Sequence, residues 1–153
     1  MPSPSPSLAV PVAPLKYLPA IVALLWGLSL AVVRAWQPMD YFWENFAAYW
    51  LPQGLILGLL LCTRPTPALF TGVALALAAH LQLFSLWISS PEDAMGWLFY
   101  LFDFPGALIG AAIARFLATR VAPGKPLING LLGVGWVSLG LLLNFKLMMY
   151  SQV

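Results

Sequence analysis

A chain of 153 residues that is 61% apolar and 8% charged is excluded from the ordinary soluble domains, which average about 45–50% apolar and about 25% charged. A net charge of +2 without a basic run excludes a nucleic-acid binder, and Cys62, the single cysteine, excludes a disulfide scaffold. A mean hydropathy of +0.88 points to lipid as the main solvent.

In chain order, residues 1–16 form a tail in which Pro2, Pro4, Pro6, Pro11 and Pro14 alternate with serines. Proline lacks a backbone N–H, so an extended or disordered tail is expected. Five apolar stretches follow, at residues 17–36, 46–62, 68–88, 95–116 and 127–150. Crossing roughly 30 Å of hydrocarbon takes about 20 helical residues. The second stretch is short, and Pro52-Gln53 interrupts its apolar run; it reaches span length by including residues 41–45. Proline with polar residues separates the stretches, at residues 37–40, 63–67, 89–93 and 121–126. Links this short require antiparallel neighbours. The apolar run at 17–33 is longer than a signal-peptide core of about 7–15 residues, so it reads as a span and not a cleaved leader. The expected fold is therefore all-α: a five-span transmembrane domain over residues 17–150, with a short tail at 151–153.

Charge chooses an orientation. With a cytoplasmic N-terminus, Lys16, Arg64, Arg115, Arg120 and Lys125 fall inside, and only Arg34 and Lys146 fall outside. Loop lysines and arginines resist translocation, so N-in, C-out is expected, in a bacterial-type inner (plasma) membrane. Asp40, Glu44, Glu92 and Asp93 land outside, which leaves Asp103 as the acid within a span. Aromatics gather at the same outer side, namely Trp36, Tyr41, Trp43, Trp50, Trp87, Trp97 and Tyr150. The plainer reading is a lipid-interface belt. The sharper one is a partner-binding platform built from Trp36, Tyr41, Trp43 and Trp50.

Polar residues in hydrocarbon need partners. The third and fourth stretches form a hairpin that sets His80 and Asp103 at one depth, about 12 Å from the outer interface by helical rise. Gln53 and Asn144 fall at about 9–11 Å by the same rise. An intramembrane polar cluster of His80, Asp103, Gln53 and Asn144 is thus expected, with Gln82 as a further polar residue. Small residues stripe the same helices. Gly54, Gly58, Gly72, Gly106 and Gly110 are expected to let helices approach closely. Pro105 removes a helix hydrogen bond near Leu101 and should free a carbonyl beside Asp103. Asp103 then has three readings: a structural pair with His80, a proton- or cation-binding site, or an anchor for a basic group on a partner's helix.

No motif supports catalysis. One histidine cannot build a two-histidine metal or haem site, and nucleophile elbows, HExxH and phosphate-binding glycine loops are absent from the sequence. No cofactor and no metal are expected. The expected role is non-enzymatic binding of another membrane component, as a complex subunit, assembly factor or toxin-immunity type protein. Its partners would be the lipid bilayer and another membrane protein or a second copy. The rival is a small proton- or cation-coupled transporter that uses Asp103 and His80.

Overall fold

The computed structural model describes residues 14–36, 41–88 and 94–150. Most of the proline-rich tail, the acids Asp40, Glu92 and Asp93, and the three C-terminal residues lie outside these. The described residues are helical and include no strand. A short turn at Pro14–Tyr17 leads into α1 (Leu18–Ala35), followed by α2 (Phe42–Cys62) and α3 (Pro67–Trp87). Then come α4 (Ala94–Phe102), α5 (Phe104–Arg120) and α6 (Pro126–Tyr150). Counting α4 and α5 as one broken rod, five helices are long and apolar enough to cross a membrane.

The helix ends follow from the residues that punctuate them. Thr66 caps α3 by accepting the Leu69 N–H, and Pro67 takes a first-turn position, where a missing N–H costs nothing. Asn129 of α6 donates to the same Thr66 hydroxyl, tying two helix starts together. Gly124 turns the chain into α6 at φ +72°, a left-handed conformation that suits glycine. The second stretch reaches span length through its polar leading residues, as expected, and α2 runs through Pro52 for 21 residues, starting at Phe42. Losing one hydrogen bond is tolerable when the rest of a helix is intact and packed.

The central helix is α3, whose buried residues, from Leu69 to Ser85, include both small and large side chains. Around it stand α1, α2, α5 and α6, with α6 wedged between α3 and α5. Glycines make that wedge possible. A Cβ on Gly72 would collide with the Gly130 carbonyl, and one on Gly133 would press on Leu69. On the other side, Gly106 lies against the Gly140 backbone and Gly110 against that of Trp136. Gly54 and Gly58 do not serve this purpose within the chain. A Cβ on Gly58 would meet nothing, and one on Gly54 only the Trp50 ring of its own helix. The small-residue pattern on α2 permits a close approach that no neighbouring helix makes.

Alternating helix directions sort the charges. Lys16, Arg64, Arg115, Arg120 and Lys125 gather at one end, where Arg115 donates to the Thr63 hydroxyl and carbonyl. Arg34 lies at the other end and donates to the Ser85 carbonyl, joining α1 to α3.

Gly106→Val should therefore destabilise the detergent-solubilised protein by about 1–3 kcal/mol through overpacking, read as a lowered thermal midpoint. Gly58→Ala, at open space, should leave the midpoint unchanged or slightly raised. Equal midpoints for the two variants would show that α5 and α6 do not meet backbone to backbone.

Candidate functional site

The break between α4 and α5 builds the site. Pro105 cannot donate, and the Gly106 N–H turns to the Asp103 carbonyl at 3.1 Å instead of continuing the α-helical pattern to Phe102. Pro105 leaves the Leu101 carbonyl without its usual donor, as expected, and the shifted Gly106 N–H releases the Phe102 carbonyl as well. The Phe102 carbonyl accepts the side-chain amide of Asn144 from α6. Asp103 sits at the corner and turns its side chain into the bundle, where it is 1% exposed.

Across from it on α3, His80 presents Nε2 at 3.6 Å from Asp103 Oδ2. That separation lies beyond the usual 2.7–3.2 Å of a hydrogen bond. His80 Nε2 and both carboxylate oxygens are buried, and none has a hydrogen-bond partner of normal geometry. The Asn144 amide approaches the carboxylate, but its bond goes to the Phe102 carbonyl. In a region this apolar, unmatched polar atoms cost on the order of 1–3 kcal/mol each.

Gln53 belongs to a second group, joined by hydrogen bonds. Gln53 Nε2 donates to the Tyr49 carbonyl at 3.1 Å and to the Tyr100 hydroxyl at 3.0 Å. The Tyr100 hydroxyl in turn donates to the Tyr49 carbonyl at 3.0 Å. The Tyr100 ring stacks on His80, with centroids 5.4 Å apart and planes 17° from parallel. Tyr100 thus links the Gln53 group to the His80–Asp103 pair. The sequence reading missed it, counting tyrosines as interface markers; its signal is its place three residues before Asp103, one turn away on the same face. Gln82 makes only a local contact, with Ser85.

Beside the pair lies a cleft of about 340 Å³ that opens sideways between α3 and α6. His80 and Asp103 line it, among Leu83, Phe84, Leu141 and Phe145. Its shape follows from the α6 face turned to α3, which reads Gly130, Gly133, Val137, Leu141 and Phe145. Side chains grow along that series, so the helices touch at one end and stand apart at the other.

Of the aromatic group, Trp36, Tyr41 and Trp43 are exposed at the end opposite the basic cluster. Trp50 departs from the expected platform: it is half-buried and packs on the core near Gly27. Cys62 is exposed at the basic end. Among the described residues, no three histidine, cysteine or acidic side chains stand close enough to hold a metal. Comparison with family models, curated proteins and solved structures finds no match to this chain.

Tyr100→Phe removes the hydroxyl that both accepts from Gln53 and donates to Tyr49. It should cost about 1–2 kcal/mol of stability. Adding Gln53→Leu should cost less than the sum of the two single changes, because the two share one network. Strict additivity of thermal or denaturant stability would refute the shared network.

Proposed function

We propose that the chain is a five-span integral membrane protein, N-in and C-out, that works without catalysis by binding another membrane component. A bacterial-type inner membrane is the setting that suits it. The observation that carries this reading is the sideways cleft between α3 and α6, with apolar walls and an unmatched polar pair at its floor. A cleft facing the flank of a bundle is open to what is dissolved in the bilayer, and not to water. The exposed Trp36, Tyr41 and Trp43 offer a second contact surface at the opposite end from the basic cluster. A complex subunit, an assembly factor and a toxin-immunity protein would use the same two surfaces.

The transporter reading draws on the same His80–Asp103 pair and is less well supported. Between that pair and the basic end lie Val73, Leu77, Ala107, Ala111 and Val137, all buried and apolar. A proton or cation moving that way needs water or titratable relays. The clefts at the basic end are lined by other residues and do not include His80 or Asp103.

Two measurements test the proposal. Reporter fusions after Val153 should be active outside the cytoplasm, and fusions in the 121–125 loop should be active inside it; the reverse pattern overturns the orientation. A photo-crosslinking residue at Leu142, on the rim of the cleft, should capture a discrete membrane component. The same residue at Leu25, on the exposed face of α1, should capture only bulk lipid. Identical products at both positions would sink the binding role.

A further inference from the structure

Resting on the binding role above, we propose that the α3–α6 cleft takes a lipid-soluble molecule bearing a hydroxyl, which bridges His80 Nε2 and the Asp103 carboxylate. The two groups are 3.6 Å apart and neither has a normal hydrogen bond. An oxygen set to one side of the pair, at about 2.8 Å from each, would bond both. Of the nearby donors, Tyr100 is committed to the Tyr49 carbonyl and Asn144 gives one N–H to the Phe102 carbonyl; the Asn144 amide also lies near the carboxylate but closes no bond of normal geometry with it.

The chemistry of the pair selects the group. A hydroxyl both donates and accepts. It can donate to an ionised Asp103 while accepting from His80, or do the reverse if the proton lies on the acid. An ammonium has nothing to offer a histidine N–H, and a carbonyl or ether has nothing to offer a carboxylate. A group with both capacities satisfies the pair whether its proton sits on Nε2 or on the carboxyl.

The walls select the rest of the molecule. Phe84, Trp87 and Phe145 meet edge to face at the rim, with centroids 5.5–6.1 Å apart. Leu83 and Leu142 stand at the mouth, 66% and 62% exposed. The His80 Nε2 and Asp103 oxygens are covered in this structure, so a ligand reaches them only if these exposed side chains turn aside. The volume of about 340 Å³ falls at the small end of small-molecule sites, about 300–1,000 Å³. A ring or short chain with one hydroxyl fits a cleft of this size.

The test uses the full chain in lipid nanodiscs, with labelled 4-octylphenol and its methyl ether, 4-octylanisole, as probes. Capping the oxygen keeps the shape and removes the donor. The phenol should bind about tenfold more tightly than the ether, as expected for one hydrogen bond to an ionisable group. Asp103→Leu should bring the phenol down to the affinity of the ether. Leu142→Trp, which leaves the polar pair intact, should weaken both probes. Displacement by 1-decanol identifies aliphatic alcohols as fitting occupants, and displacement by unlabelled phenol alone narrows the class to phenols; both agree with the proposal. Equal wild-type affinities for phenol and ether would overturn the hydroxyl assignment, and so would phenol binding that ignores Leu142→Trp. Absence of binding by either probe would overturn it as well. In each of those cases a discrete crosslink at Leu142 would still uphold the wider binding role, so the two failures are distinguishable.

Discussion

Everything distinctive in this molecule depends on how closely the α6 backbone lies on α3 and α5. Gly72 against Gly130, and Gly106 against Gly140, bring main chains together with no side chain between them. Helices this close gain dispersion contacts, the main attraction available when apolar side chains face lipid on the outside. The contact also fixes the height of α6. Asn144 stands one turn beyond Gly140, and at that height its amide meets the carbonyl released by the broken helix.

The break and the seam support one another. Pro105 starts α5 afresh, which costs the rod part of its hydrogen-bond ladder. Asn144 restores one of those bonds from a different helix. Asp103 is then held at the corner, facing α3 and not the outside of the bundle. Without α6, the Phe102 carbonyl would lie on an apolar surface with nothing to satisfy it.

Two polar groups lie at this level, and they differ in completeness. The Gln53–Tyr100–Tyr49 group closes on itself, and such groups hold helices in register. The His80–Asp103 pair stays open, beside a cleft that widens because α6 passes from glycine through valine and leucine to phenylalanine along one face. A satisfied network reads as structure. An unsatisfied pair next to an apolar cleft reads as a place where something binds.

What the sequence determined by itself was the class of molecule and the level of its polar residues. Composition and proline punctuation give five apolar helices, and counting residues from the turns sets His80 and Asp103 at one depth, where the structure has them 3.6 Å apart. What only the tertiary structure decided was which faces meet. The Gly54–Gly58 and Gly106–Gly110 patterns look alike in sequence, yet α6 covers the second, and among the described residues no other helix lies against the first. A small-residue stripe says that a helix can come close; the remaining helices decide whether one does. Tyr100 makes the same point. Its hydroxyl has no assigned partner until α2 places the Tyr49 carbonyl and the Gln53 amide beside it. Depth is a one-dimensional quantity fixed by helical rise, and so it can be read along the chain. Azimuth around the bundle is set by packing among all the helices at once, and no local stretch of sequence contains it.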